Sequence, residues 1–280
     1  MEKFLQLLLI VVSLFFFFIA FIAPFMLYGL SFIDMFIVPL KEKLLPRWYK
    51  IFPPVIHPAI PNTLSKHVSY YKNLSRDNKI KFQQRLHYFL KTKSIIGKGG
   101  LFLTDEMKIL ICASAVQITF GLKYFSLRYF YRIYVYPDSY HYQNSLVKFR
   151  GHVSHRGVIH LSWHHFEKGY LFPEDGINLG LHEMAHALKL HALEEEVDFE
   201  FYDNLEILKK HAREAAENRA SASFFDFSQN SIDEFWAQLV EKFFETPIPF
   251  KAEFPDLYDA MRRLLNQDTL NPLDPVIRKD

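Results

Sequence analysis

The hydrophobic pattern falls into two regimes. From Phe4 to Leu40 the chain is almost wholly apolar, with Asp34 the only acidic residue and no basic one. About 20 such residues span a bilayer, so residues 4 to about 23 predict a transmembrane helix. Pro24 and Gly29 interrupt the rest of the run, and residues 25–40 extend that helix, kink along the interface or return as a hairpin. Asp34 disfavours a second full span, because a carboxylate is expensive at membrane depth. The run is too long for the apolar region of a cleaved signal peptide, and no A-x-A-like site comes after it. Beyond it the pattern becomes that of a globular body with both helical and strand spacing. Residues 52–62 are proline-rich and read as a semi-rigid connector. Helical spacing covers residues 75–93, and Gly97-Lys98-Gly99-Gly100 then reads as a turn. Thr104-Asp105-Glu106 opens a helix that runs to about Phe120 and stops at Gly121. Residues 129–136 alternate and end at Pro137, which predicts a strand. Residues 152–163 predict a hairpin with Arg156-Gly157 at the turn and residues 158–163 as its second strand. Further helices are expected around residues 181–188, over 202–219 and from Ser231 to about Glu245, ended by Pro247 and Pro249. The polar tail after Gln267 carries Pro272 and Pro275 and is expected to be loosely ordered. The organisation is therefore a membrane anchor (1–40), a basic and proline-rich connector (41–73), a folded domain (74–266) and a tail (267–280).

Composition narrows the class. Of 280 residues 50% are hydrophobic, including 29 Phe and 15 Tyr, ample for a sizeable core. A net charge of +2 leaves no footprint for nucleic acid. The single cysteine, Cys112, excludes an intrachain disulfide and reads as a small core residue. Lys41, Lys43, Arg47 and Lys50 come after the apolar run, whereas only Lys3, offset by Glu2, precedes it. The positive-inside rule then turns the body of the protein towards the cytoplasm. The expected location is a membrane, a bacterial inner membrane, with residues 4–40 in the bilayer.

The chemistry centres on His182-Glu183-Met184-Ala185-His186. On a helix, residues four apart share a face, so both imidazoles reach one ion. Two neutral imidazoles are a partial ligand set for a catalytic zinc, which needs a third protein ligand and an open position. Glu183 then lies where it can act as a general base. The same spacing also suits a core helix that carries two histidines. For the third ligand His191 is unsuitable, since nine residues past His182 it points to the other side of the helix. Lys189 and Ala192 occupy the positions at which the longer H-E-x-x-H-x-x-G-x-x-H pattern needs Gly and His. Glu234, in Ser231-Ile232-Asp233-Glu234-Phe235-Trp236, is the best-placed carboxylate. It is also the glutamate of a Ser-x-x-Glu capping box, and spacing alone leaves ligand and cap both open. Glu241, two turns further along, is placed to orient a ligand. Strand alternation puts His160 and Ser162 on one face and Ile159, Leu161 and Trp163 on the other. His152, His155, His160, His164 and His165 read as solvated or cleft-lining side chains rather than a second metal site.

Several ordered motifs resemble the zinc-dependent peptidase family typified by Mlc titration factor A. They are Leu103-Thr104-Asp105-Glu106-Met107, Val135-Tyr136-Pro137, Leu161-Ser162-Trp163, Asp175-Gly176-Ile177-Asn178 and Glu234-Phe235-x-Ala237 with Glu241-x-Phe243-Phe244. The resemblance spans roughly residues 74 to 265. It implies a gluzincin-like, zincin-type α+β core with a mixed or antiparallel sheet and active-site helices. It also implies Zn2+ held by His182, His186 and Glu234, Glu183 as general base, and a peptide or protein substrate. By analogy, residues 158–163, with His160 and Ser162, form the edge on which substrate adds by strand pairing. Two departures stand out. The family tyrosine suited to stabilising an oxyanion is Phe227 here, which leaves Tyr202, Tyr258 or a histidine near the strand to substitute, or a slow enzyme. The typical member also lacks a membrane anchor. The expected function is a membrane-anchored zinc metallopeptidase; the alternative is a zinc-containing binding module that cleaves little.

Overall fold

The computed structural model describes residues 2–18, 52–142, 145–195, 204–210, 225 and 232–278, and the chain divides into two units, Met1–Phe52 and Pro53–Asp280. In the first, α1 (Glu2–Phe17) is a 16-residue apolar helix that exposes Leu9, Ile10, Leu14, Phe15, Phe16 and Phe17. Its length is about 24 Å at the α-helical rise, and among the described residues no helix is long and apolar enough to cross a membrane. Most of the expected anchor, residues 19–40, lies outside the described residues.

The second unit begins with α2 (Ala59–His67), α3 (Ser69–Asn73) and α4 (Arg76–Thr92). Next come β1 (Ser94–Gly97), α5 (Asp105–Thr119), β2 (Arg132–Tyr136), and the short strands β3 (Tyr140–His141) and β4 (Lys148–Phe149). The hairpin of β5 (Gly151–Ser154) and β6 (Val158–Ser162) leads into α6 (Trp163–Leu171) and α7 (Leu179–Glu195). After a helical stretch over residues 204–210, α8 (Ile232–Glu245), α9 (Pro247–Glu253) and α10 (Pro255–Leu265) complete the unit. The fold is α+β with a mixed sheet. Its strand order is β1-β2-β6-β5, with β1, β2 and β6 parallel and β5 antiparallel to β6. Ile133, Val135, Ile159 and Leu161 bury one sheet face in the core. On the other, Tyr134 and His160 pair across β2 and β6, and the rings of Tyr142 and His152 pack against His160. α5 is buried without a break from Ile109 to Thr119, Cys112 included.

Local signals explain the helix starts. Ser75 and Thr104 accept hydrogen bonds from the amides of Asn78 and Met107, capping α4 and α5 as their spacing predicts. Four expectations are corrected. The proline-rich connector is helical from Ala59, because Pro61 falls in the first turn of α2, where an amide has no intrahelical acceptor. Ile60, Leu64 and Tyr71 are buried, so this stretch belongs to the core. Trp163 opens α6 instead of ending the strand, since Ser162 caps that helix by accepting from the His165 amide. Pro247 ends α8 and also starts α9, at a position that suits proline. The tail is packed: Gln267 is fully buried, donates to the carbonyls of Gln117 and Ile118 at the end of α5, and accepts from the Tyr70 hydroxyl at 2.6 Å. It also bridges to Val276, itself buried.

Candidate metal centre

The centre is built from α7 and α8, which lie against each other. Leu181, Met184, Ala185, Ala187 and Leu188 bury the apolar side of α7, and this directs His182 and His186 to one face. Gly180 permits the close approach of this helix to its neighbours: a Cβ there would come within 2.6 Å of the Phe166 ring and the Ser114 hydroxyl. Asn178 caps α7, its Oδ1 accepting from the Leu181 amide at 3.0 Å. The same residue fixes α8. Its backbone amide donates to Glu241 Oε1 at 2.8 Å, and its side-chain amide donates to Glu245 Oε1 at 2.7 Å. From α8, the Trp236 indole donates to the Ala185 carbonyl at 2.8 Å and Asp233 pairs with Lys189. These ties set α8 in register on α7 and carry Glu234 over the two histidines.

His182 Nε2 lies 3.2 Å from His186 Nε2 and 3.1 Å from Glu234 Oε2, and His186 Nε2 lies 3.5 Å from Glu234 Oε1. Three lone-pair donors converge, and a single cation satisfies all three. Ligands about 2.05 Å from a tetrahedral ion are about 3.3 Å apart; the two imidazole nitrogens stand close to that separation and the Glu234 carboxylate turns one oxygen to each, a group that could hold a metal ion. On the far side of His182, Nδ1 lies 3.3 Å from Glu241 Oε2. An imidazole whose second nitrogen faces a carboxylate is the usual arrangement for a metal-ligating histidine.

The electrostatics agree. Burial opposes a charge on His182, but hydrogen bonds to Glu234 and Glu241 prevail and push it up to about 10. Hydrogen bonds from His182 and His186 hold Glu234 well below the usual carboxylate range. The arrangement is built to gather positive charge. Glu183, by contrast, is 4% exposed, and burial pushes its carboxyl up to about 7 against the pull of both imidazoles. Its Oε2 has no hydrogen-bond partner among the described residues. Gly151 on β5 backs directly onto this carboxylate, and a Cβ there would come within 2.1 Å of Oε1. Tyr140 is buried nearby, its hydroxyl without a partner among the described residues and held well above the usual phenol range by burial and by the Glu183 carboxylate.

Of the residues singled out in the sequence, His182, His186 and Glu234 are therefore brought together, with Glu183 beside them and Glu241 behind. The edge assignment is corrected. His160 and Ser162 lie on β6, which pairs with β2 on one side and β5 on the other, so β6 is internal and, among the described residues, β5 lies at that edge of the sheet. Nor is His160 solvated: it is 6% exposed among aromatic rings, and burial lowers it to about 4. Tyr258 is no substitute oxyanion donor, because its hydroxyl already bonds Asp268 at 2.8 Å and Thr269 at 3.1 Å. Phe227, Tyr202 and Ser231 lie outside the described residues. Sequence reasoning missed the cap at Asn178, the glycine at 151 and the Trp236 tie. The Asn178 position, directly before an apolar helical run, was the available signal for the first.

Two histidines and a glutamate from neighbouring helices, with a buried glutamate beside them, define a protein of the metallopeptidase class. The model of the family described as glucose-regulated metallo-peptidase M90 matches residues 47–265, and the chain belongs to that family. An uncharacterized protein of Synechocystis sp. is 22% identical over 244 residues, covering 78% of this chain and 89% of its own length.

Proposed function

We propose that the protein is a membrane-anchored, gluzincin-like zinc metallopeptidase with Glu183 as general base. The observation that carries this reading is the cluster of two imidazole nitrogens and the Glu234 carboxylate, with contacts of 3.1–3.5 Å, and beside it a Glu183 oxygen that has no hydrogen-bond partner among the described residues. Zinc held by His182, His186 and Glu234 supplies Lewis acidity, acidifying a water and polarising a peptide carbonyl. The protein's own groups do the rest. Glu241 holds His182 in the tautomer that leaves Nε2 free for the metal. Glu183 Oε2 takes a proton from the attacking water and hands it to the leaving amine. The edge of β5, whose first residue Gly151 faces Glu183, receives the peptide as an added strand. In favour of the anchor are the apolar side chains that α1 leaves exposed and the basic residues Lys41, Lys43, Arg47 and Lys50, which turn the catalytic body to the cytoplasm.

The test is Glu183→Gln in the full chain. It is expected to keep one metal per chain and to abolish peptide cleavage. Cleavage that persists refutes the assigned base. A second reading, a zinc-containing binding module with little turnover, is favoured by Phe227, which offers no hydroxyl where the family tyrosine stands. Phe227→Tyr separates the two. A gain of about 10² to 10³ in rate, the usual worth of one oxyanion donor, marks the native chain as a weakened enzyme.

A further inference from the structure

Beside the β5 edge lies an open cleft of about 580 Å³. Its walls are the rings of Tyr142, Phe149 and His152, its floor is Ser154, and His155 and Arg156 stand at its rim. We infer that this cleft is a specificity pocket for an acidic side chain of the peptide substrate, with Arg156 as its charge partner. The inference rests on the peptidase reading above.

Strand geometry connects cleft and chemistry. Gly151 faces Glu183, and alternation turns His152 and Ser154 to the opposite face, where the cleft lies. A peptide added along β5 alternates in the same way, so every second side chain is offered to the cleft. His152 and Ser154 are one and three residues from Gly151, about 3 to 10 Å along the strand. The side chain received therefore lies within about three residues of the bond cut.

The charge selects its class. Among the residues that line the cleft, Arg156 carries the permanent charge and none is Asp or Glu. Arg156 is exposed and makes no ion pair among the described residues. The backbone that carries it is held in place. The Arg156 amide donates to Ser154 Oγ at 3.2 Å, the Gly157 amide donates to the Ser154 carbonyl at 3.1 Å, and Tyr129 donates to the His155 carbonyl. Gly157 takes the left-handed conformation that closes this turn. A guanidinium remains charged at all working pH values, so the rim is a permanent hydrogen-bond donor and charge partner for a carboxylate. The rings beneath it accommodate the aliphatic stem.

The test uses neutral peptides carrying one Glu, Gln or Lys at successive positions around the cleaved bond. Cleavage by the full-length metal-loaded protein and binding to full-length Glu183→Gln are both measured. The Glu peptide is expected to lead the Gln peptide by about threefold to tenfold at one position, the usual worth of one exposed charged contact. Lys at that position is expected to rank last, Arg156→Gln to remove the order and Arg156→Glu to reverse it. An order unchanged by either Arg156 variant overturns the inference while leaving the peptidase reading intact. Charge-ordered binding without cleavage by the wild-type protein upholds the pocket and overturns the peptidase reading. Neither binding nor cleavage overturns both.

Discussion

Replacing Glu241 by alanine removes two contacts at once, and its two consequences are separable. Oε2 is the acceptor that faces His182 Nδ1 at 3.3 Å, and Oε1 accepts the Asn178 amide at 2.8 Å at the start of α7. Losing the first frees the imidazole to rotate and change tautomer. Loss of such a partner costs about 10- to 100-fold in metal affinity, or about 1.4 to 2.8 kcal/mol. Losing the second leaves a buried amide unpaired, at about 1 to 3 kcal/mol of fold stability. Glu241→Gln divides these effects. Its single carbonyl oxygen can serve the Asn178 amide, and its NH2 group then faces the Nδ1–H of His182, donor against donor. The glutamine variant is therefore expected to bind metal weakly yet fold almost as stably as wild type, whereas alanine loses both. Metal affinity is read by competition with a chromogenic zinc chelator. Stability is read by urea unfolding with chelator present, so that bound metal does not add its own linkage to the midpoint. Wild-type metal affinity in Glu241→Gln would show that Glu241 does not orient His182, and the tie between cap and ligand would be refuted.

Three further outcomes are expected. Glu234→Ala should lose the bound metal, measured as metal per chain after gel filtration; retained metal with a destabilised fold would instead identify Glu234 as a helix cap. Gly151→Ala sets a methyl against the Glu183 carboxylate, so cleavage should fall steeply with metal content unchanged, and an unaffected kcat would show that this carboxylate is free to move. Glu245, 9% exposed, has its carboxyl pushed up to about 8 by burial. Because its folded value lies above its unfolded one, its contribution is complete at low pH and is lost as pH rises from about 4.5 through 8. Glu245→Gln keeps an acceptor for Asn178 and should gain on wild type across that window, by on the order of a few kcal/mol at most. A wild-type-minus-variant difference that is flat with pH would refute it.

The metal site was largely legible because its geometry is local. The four-residue spacing of His182 and His186 fixes their common face, and the seven-residue spacing of Glu234 and Glu241 puts the candidate ligand and its candidate support on one helix. What spacing left open, whether Glu234 meets the metal or caps its own helix, depends on how α8 lies on α7. That register is set by nonlocal contacts. Asn178 reaches Glu241 and Glu245, 63 and 67 residues away, and Trp236 reaches Ala185 across 51. No periodicity encodes such distances.

The sheet shows the same limit in a form that matters for substrate. Alternation and the turn at Gly157 suffice to pair β5 with β6, and a hairpin read alone has two equivalent outer edges. The pairing that removes one of them joins β6 to β2 in parallel, Tyr134 opposite His160 and Val135 opposite Leu161. Parallel neighbours need a long crossover and carry no turn signal. Once that pairing is made, the free edge passes to β5 and everything on it changes meaning. Gly151, otherwise an unremarked glycine, becomes the point where the edge meets Glu183. His152 and Arg156, two of several basic residues in the sequence, come to line one cleft beside that edge, the pocket inferred above to take a substrate side chain.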